Sequence, residues 1–168
     1  MKKYILILAA LMISLPMMAQ KLSKEEKAAK AKAAYEAAVQ SINDRAWVLV
    51  PSSYTASDGM IENNINNDNF LSCEGKNLFA QGSIVCDNKY TNLLEDSEYT
   101  VNVDKKGNVK MRIIVTGRMM KGTYSITMRG NNNVADVIFS QSTGSTLRFT
   151  GPIVPLKGAS YNKRSNPM

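Results

Sequence analysis

The chain carries few side chains that could perform catalysis. Histidine is absent from its 168 residues, which removes the commonest general base and the commonest transition-metal ligand. No Gly-Xaa-Ser-Xaa-Gly, P-loop or dinucleotide-binding motif is present. Several carboxylates could form a catalytic pair, but they fall in predicted loops, where solvated acids are ordinary: Asp58, Glu62, Asp68, Glu74, Asp87, Glu95 and Asp96. We therefore predict a protein that is not an enzyme and that needs no cofactor and no metal.

Two cysteines, Cys73 and Cys86, could form a disulfide. In an oxidising compartment, closing a loop of this size would stabilise the fold by about 3 kcal/mol. A tight turn at residues 75–77 would instead pair Glu74 with Leu78 and leave Cys86 well away from Cys73 along the hairpin. The sequence leaves both alternatives open. Redox catalysis is disfavoured, because the spacing is not Cys-Xaa-Xaa-Cys.

Four basic side chains on the outward face of the predicted sheet could bind an anion. The formal net charge of +7 favours acidic partners. In the predicted register Lys110 lies opposite Arg129, with Arg112 one pleat away and Arg148 two strands over. Like charges directly opposite each other destabilise a sheet, so the arrangement indicates either a bound anion, such as an anionic glycan, or plain solvation, which is commoner. Nucleic acid is not expected, because the aromatic residues fall on the inward face.

A meander of antiparallel strands between Glu98 and Val154 would position these cations. Apolar and polar residues alternate along this stretch, which is the pattern of strands with one buried face. Turns divide the stretch into strands, and the positions of the turns predict the register. The predicted cross-strand pairs include Tyr99–Ile113, Ile113–Ile126, Val115–Tyr124, Tyr124–Phe139, Ile126–Val137 and Val137–Phe149.

The whole pattern predicts a mainly β fold: a small antiparallel β-barrel, or a strongly curved sheet, of about eight strands with one N-terminal α-helix. Closure would remove the exposed edges of the sheet. The interior of such a barrel holds either a packed core or one small ligand, and the sequence leaves both open. The interior residues expected to line a ligand are Tyr99, Met111, Tyr124, Met128, Phe139 and Phe149.

Residues 1–19 have the features of a secretory signal peptide. Lys2 and Lys3 precede an apolar run, and cleavage is expected near Ala19. The apolar run is too short for a stable membrane anchor, and no second run of about 18 apolar residues follows it. We therefore predict that the mature chain is exported to a periplasm or beyond and has no transmembrane segment.

Residues 20–45 are predicted to form the N-terminal helix. Ser23 and Glu26 have the spacing of a capping box, and the strong helix formers alanine and lysine predominate after them. Apolar side chains at helical spacing would dock the second half of this helix onto the barrel.

Residues 46–156 are predicted to form the antiparallel β domain, which begins with a strand carrying Trp47. Within this domain, residues 52–59 are predicted as loop. Residues 60–70 form a segment rich in asparagine and aspartate, which is also predicted as loop, and residues 87–97 are predicted as irregular. Residues 157–168 have the composition of a disordered tail.

The order of these elements resembles a family of small exported Bacteroidetes proteins, the domain of unknown function DUF4251. The similarity runs from about Lys24 to Pro155 and includes the Trp47 strand, the asparagine-rich stretch before Phe70 and the ending Phe149-Thr-Gly-Pro-Ile153. A Leu-Pro-Tyr-Phe-Gly-like stretch of the family is matched by Leu78 and Gly82 alone. The resemblance implies a mostly β fold with an N-terminal helix, and it implies no known activity, cofactor or catalytic residue.

The leading functional prediction is an exported, non-enzymatic binding protein for an unknown small apolar ligand, acting through the barrel mouth or a contact surface. The alternative is an envelope structural or inhibitory protein that acts by protein–protein contact. A ligand-binding barrel should contain an interior void. A protein-binding barrel should instead have a filled interior and an exposed apolar patch.

Overall fold

An antiparallel sheet closed into a barrel forms the centre of the computed structural model, which describes residues 23–168. Strand β1 pairs with both β4 and β10, so eight strands close in the order β1-β4-β5-β6-β7-β8-β9-β10. This confirms the predicted small barrel with an N-terminal helix. The elements are α1 (Lys24–Asn43), β1 (Ala46–Leu49), β2 (Ser53–Thr55), β3 (Ile61–Asn63), β4 (Phe70–Glu74), β5 (Asn77–Gly82), α2 (Ser83–Cys86), β6 (Asn88–Val103), β7 (Val109–Gly117), β8 (Lys121–Met128), β9 (Val134–Gln141) and β10 (Thr146–Pro155).

Helix α1 begins as the sequence predicts. The Ser23 hydroxyl accepts a hydrogen bond from the Glu26 amide (3.1 Å), and the Glu26 carboxylate accepts one from the Ser23 amide (2.7 Å). This pair of bonds satisfies two amides that the first helical turn leaves free, and it lowers the pKa of Glu26. In residues 23–168 no helix is both long and apolar enough to cross a membrane. The predicted signal peptide lies outside the described residues.

The two ends of the barrel are covered by different elements. At one end Ile42 of α1 is fully buried, and the Tyr35 hydroxyl donates to the Gly107 carbonyl in the β6–β7 turn (2.6 Å). At the other end Val85 of α2 is fully buried, and its carbonyl accepts a hydrogen bond from Tyr124 (3.0 Å). The barrel core is therefore covered at both ends.

Within the meander from β6 to β10, the predicted register is confirmed for three strand pairs and is wrong for one. Tyr99 lies opposite Ile113, and Tyr124 lies opposite Phe139. Between β7 and β8, however, Ile113 lies opposite Tyr124 instead of Ile126, a shift of two residues. The turn is tighter than predicted, because the Gly117 amide donates to the Met120 carbonyl (2.8 Å), so β8 begins earlier in the chain.

Two segments predicted as loops contain strands. Strands β2 and β3 form a short hairpin, and Tyr54 of β2 pairs with Phe149 of β10. Because β1 stops before Pro51, which cannot donate a backbone hydrogen bond, the next residues are free to pair further along β10. The polar composition of β2 and β3 lacks the apolar alternation from which a strand is predicted.

The first half of β6, predicted to be irregular, is part of a strand of 16 residues. Its inward position Asn92 is polar and fully buried, and the Asn92 amide donates to the Ala80 carbonyl (3.1 Å). A polar residue at an inward position removes the alternation by which a strand is recognised. A bulge between Asp96 and Glu98 interrupts the pattern again.

The C-terminal segment, predicted to be disordered, lies instead on the outside of the barrel. We call residues 159–168 the strap. A second hydrophobic cluster lies beneath the strap, on the outer face of the sheet, and is formed by Val48, Phe70 and Phe79. Tyr161 packs against Phe70 with 4.7 Å between ring centroids, so the strap covers apolar surface that would otherwise face water.

Candidate functional site

A groove of about 380 Å³ opens at the barrel mouth, the end opposite α1. We call it the mouth groove. Its walls are the β2–β3 hairpin, the asparagine-rich loop of residues 64–69, the start of α2 and the start of β10. Its volume lies in the range of small-ligand sites, which is about 300–1,000 Å³.

Asn69 holds the asparagine-rich loop in place. Its side chain is 6% exposed, and its amide nitrogen donates to the side-chain oxygens of Asn64 (3.3 Å) and Asn66 (3.2 Å). The Asn69 side-chain oxygen accepts a bond from the Ile84 amide of α2 (3.3 Å). Gly82 packs so closely that a β-carbon there would lie 2.1 Å from the Asn69 oxygen. These contacts attach the loop to α2 and to Gly82, and the loop forms a wall of the groove.

The groove is polar and carries positive charge. Arg148 is the charged residue among the described lining residues, and the other polar groups are amides and hydroxyls, including those of Asn63, Ser57 and Tyr54. The Tyr54 hydroxyl donates to Glu62 across the hairpin, and this hydrogen bond raises the pKa of Tyr54. These groups can hydrogen-bond a polar ligand, and Arg148 favours a carboxylate or another anion.

Three large apolar side chains project into solvent beside the mouth groove. Met60 is 65% exposed, Ile61 is 78% exposed and Ile65 is 94% exposed. We call these three residues the apolar rim. Scattered apolar residues are common on protein surfaces, but several highly exposed apolar side chains next to a groove are typical of an interaction surface.

The predicted interior residues lie together in the barrel core. Tyr124 and Phe139 are fully buried, and their rings stack at 4.1 Å between centroids. Met111, Met128 and Phe149 are also buried, while Tyr99 is half-buried. Their predicted role in ligand binding stays a prediction, and the packed interior does not support it, because the mouth groove is lined by other residues.

The Tyr99 hydroxyl forms two hydrogen bonds, one with β1 and one with α1. It accepts a hydrogen bond from the Trp47 ring nitrogen (2.9 Å) and donates to the Ile42 carbonyl at the end of α1 (3.1 Å). Burial raises the pKa of Tyr99 to about 12. The side chain therefore joins the first strand of the barrel to the helix that covers it.

The structure changes the predicted arrangement of the four anion-binding cations. In the observed register Lys110 lies opposite Thr127. The predicted pairing of Lys110 with Arg129 is therefore wrong. Arg112 forms an ion pair with Glu98 (3.4 Å) on a partly exposed surface. Arg148 lies on β10 at the mouth groove. Anion binding at the combined patch stays a prediction, and of these residues only Arg148 lines the groove.

The two cysteines are buried and are not bonded to each other. Cys73 pairs with Leu78 across the β4–β5 hairpin. Gly82, the last residue of β5, lies four residues beyond Leu78, which is roughly 13 Å along the strand at about 3.3 Å per residue, and Cys86 comes after it in α2. A disulfide requires α-carbons within about 7 Å, so a bridge does not fit this fold. The predicted pairing of Glu74 with Leu78 is also wrong, because Glu74 faces Asn77.

Burial makes both thiols poor nucleophiles. It raises the pKa of Cys73 to about 11 and the pKa of Cys86 to about 12. Within the part of the chain that the structure describes, no group of three Cys, Asp or Glu side chains is arranged to hold a metal ion.

Sequence reasoning missed the residues that form the mouth groove. The available signal was the density of asparagine between Asn63 and Asn69, which exceeds what a turn requires. Because turn chemistry explains each asparagine separately, the sequence predicts no more than an ordinary loop. The hydrogen bonds that converge on Asn69 can be seen only in the folded chain.

Comparison with known proteins supports the architecture. The chain matches the crystal structure of a DUF4251 family protein from Bacteroides eggerthii with a TM-score of 0.66 and 18% sequence identity, over 79% of this chain and 99% of that chain. The resemblance inferred from the sequence is thus confirmed, and at this identity the similarity concerns the fold. No protein-family model matches the chain, and no curated protein matches its sequence.

Proposed function

We propose that this chain is an exported, non-enzymatic binding protein that holds a partner protein at its barrel mouth. The observation that carries this proposal is the juxtaposition of the mouth groove with the apolar rim. Together they offer an anchoring cavity beside apolar surface, which is the usual anatomy of a protein-binding site.

The filled interior favours a surface site over an internal one. The largest interior side chains, including Tyr124 and Phe139, are fully buried and in contact. An internal ligand would have to displace them, at a cost similar to that of disrupting a well-packed core. A partner that contacts the mouth requires no such change.

The chemistry of the mouth specifies the kind of partner. Met60, Ile61 and Ile65 would pack against apolar side chains of the partner. Arg148 would pair with a carboxylate that enters the groove, because the described lining contains no acid that competes for it. We therefore expect a partner surface that presents an Asp or Glu next to apolar residues.

The proposal includes export of the chain from the cytoplasm. The charged and apolar pattern of residues 1–19 is that of a secretory signal peptide. The partner is accordingly expected in the periplasm or cell envelope. Two buried free thiols do not conflict with an oxidising compartment, because burial keeps them from reacting.

Site-specific photo-crosslinking in the producing cells tests the proposal. A photoreactive amino acid at Ile65 should give one discrete protein adduct, and the same amino acid at Lys76, in an exposed turn at the opposite end, should give none. Arg148→Glu should reduce the Ile65 adduct about tenfold, which corresponds to about 1.4 kcal/mol. Absence of an adduct at Ile65, or an equal adduct at Lys76, would refute a site at the mouth.

A small ligand in the mouth groove is the second candidate, and the groove volume of about 380 Å³ favours it. Native mass spectrometry of the mature protein, purified from its own cells, separates the two. An added mass that disappears on denaturation and on Arg148→Glu would support a small ligand. A clean mass together with an Ile65 adduct would support the partner protein.

A further inference from the structure

The strap is held by contacts that resemble the recognition of a bound peptide. Its residues lie across the outer faces of β4, β5 and β6, on a surface that we call the strap groove. The strap groove is formed by Phe70, Glu74, Phe79, Gln81 and Thr91.

Gln81 binds the main chain of the strap. Its side chain is fully buried, and its amide nitrogen donates to the Asn162 carbonyl (2.7 Å) while its oxygen accepts from the Arg164 amide (3.1 Å). The same side chain also donates to the Asp68 carbonyl (2.8 Å) and accepts from the Thr91 hydroxyl. Two of the four bonds of this buried amide therefore come from the strap, and they depend on an extended backbone rather than on side-chain type.

Side chains on alternate strap residues bind the neighbouring part of the groove. Tyr161 packs on Phe70, and its hydroxyl donates to the Glu74 carboxylate (3.1 Å). Lys163 forms an ion pair with the same carboxylate (2.9 Å) and lies 3.2 Å from the centroid of the Phe79 ring. An aromatic residue followed two positions later by a cation thus matches the groove in shape and in charge.

The last residue of the chain adds a strand-like contact. Strand β7 pairs with β6 only as far as Leu94, so the edge of β6 before that point is open. Met168 covers it, since its amide donates to the Thr91 carbonyl and its carbonyl accepts from the Leu93 amide, each at 2.8 Å. This is a one-residue form of β-strand addition.

A single exposed turn connects the strap to the barrel. The Ala159 amide donates to the Leu156 carbonyl (3.3 Å), and Gly158 has φ of +85°, as the third residue of a type II turn requires. Opening this turn to an extended conformation breaks that one described hydrogen bond. The ten strap residues would then reach about 33 Å, at about 3.3 Å per residue.

We propose that the strap groove is an interaction surface for a second copy of this chain, whose strap docks in it in place of the groove's own strap. The contacts within one chain and between two chains are identical, so the groove is already complementary to this occupant. The equilibrium between the monomer, with its own strap docked, and the dimer with exchanged straps depends on protein concentration. For a short connection the chain's own strap has an effective concentration in the millimolar range, with which a second copy must compete. Short hinge segments are the usual sites of such exchange.

Charge reversal across the Glu74–Lys163 pair gives a direct test in the full-length chain. In Glu74→Lys and in Lys163→Glu each strap meets a groove of its own charge. Exchange between the two variants relieves both repulsions, because each strap then faces a groove of opposite charge. We expect a 1:1 heterodimer in native mass spectrometry when the variants are mixed, at least about tenfold more abundant than either homodimer.

Two controls make the result specific. The double variant Glu74→Lys/Lys163→Glu restores attraction within one chain and, like wild type, should stay monomeric at the concentration at which the mixed single variants dimerise. Adding Tyr161→Ala to both single variants removes the aromatic anchor and should reduce the heterodimer about tenfold. Mixed variants that stay monomeric while retaining native circular dichroism would overturn the proposal.

The wild-type chain supplies a second measurement. Isotope-labelled and unlabelled protein, mixed at high concentration, should form mixed dimers without unfolding. Unfolding of both charge variants would also count against the proposal, because a groove that exists only beneath its own strap cannot accept another. In a mixture of wild type with the double variant Glu74→Lys/Lys163→Glu, each exchanged strap would meet a groove of its own charge, so mixed dimers that form equally well there would place the contact elsewhere and likewise overturn the proposal.

Discussion

The Phe139 ring lies directly against Gly122: a β-carbon at Gly122 would stand 2.8 Å from that ring and 2.4 Å from the Ser140 carbonyl oxygen. Gly122 faces the barrel interior opposite Val115, and its missing side chain leaves the space in which Phe139 stacks on Tyr124. A glycine that marks a turn in the sequence is therefore a packing position of the core.

Gly122→Ala should destabilise the fold by about 1–3 kcal/mol, because the added methyl group must displace the ring or the backbone. Urea unfolding, followed by circular dichroism, measures this change. Ser125→Ala, at an exposed position of the same strand, is the matched control and should change stability by less than about 0.5 kcal/mol. Equal stability of the two variants would mean that the core at Gly122 is looser than the structure shows.

The barrel strands could be predicted where burial and hydrophobicity coincide. In β7 every second residue from Val109 to Val115 is apolar and buried, so alternation alone defines the inward face. Ser23 and Glu26 likewise define the start of α1, because a capping box is a local contact. These predictions succeeded since each depends on residues that are close in sequence.

The register of β8, the first half of β6 and the strap depend on distant residues. In β8, the Phe139 ring limits the space at Gly122. In β6, the buried Asn92 side chain donates a hydrogen bond to the Ala80 carbonyl, and in the strap the Tyr161 ring packs against Phe70. The mouth groove has the same origin, because four separate elements form it. A single sequence does not reveal such partners, and the predicted site residues were therefore mostly core residues.

Tyr99→Phe should destabilise the protein by about 1–3 kcal/mol. The substitution leaves the ring N–H of Trp47, a fully buried residue, without its described partner, and it also removes the bond to Ile42. Trp47 is the single tryptophan of the chain, so its fluorescence reports both the local change and the unfolding midpoint. Tyr90→Phe, at a position 49% exposed, is the control, and an effect as large as that of Tyr99→Phe would contradict the role of the Tyr99 hydroxyl.

Alkaline pH should weaken the fold. Burial raises the pKa of Cys73 from 9.0 to about 11, of Cys86 from 9.0 to about 12 and of Tyr99 from 10.0 to about 12. A raised pKa favours the neutral form in the folded state, so its stabilisation is complete below the unfolded pKa and is lost as pH rises above it. Each such group lowers the free energy of unfolding by about 1.4 kcal/mol per pH unit in that window.

The melting temperature, measured from about pH 7 to about pH 11, should therefore be flat below about pH 8.5 and fall above it. Cys86→Ser removes one ionisable group at nearly constant volume and should make the alkaline fall shallower. A profile that stays flat up to about pH 11 would contradict the burial of these groups. The thiols should also resist alkylation until the chain is unfolded.

Asn69→Asp should loosen the wall of the mouth groove while leaving the barrel folded. The carboxylate can still accept the bond from the Ile84 amide, but it cannot donate to the oxygens of Asn64 and Asn66, which would then face a buried negative charge. Hydrogen exchange of residues 60–67 should become at least about tenfold faster, whereas β7 to β9 should stay protected. Asn67→Asp adds the same charge at an exposed neighbouring position and should leave the exchange unchanged. If the mouth groove is the binding site, the crosslinked adduct at Ile65 should weaken with Asn69→Asp and persist with Asn67→Asp, because binding needs the ordered wall and not merely the charge of the loop.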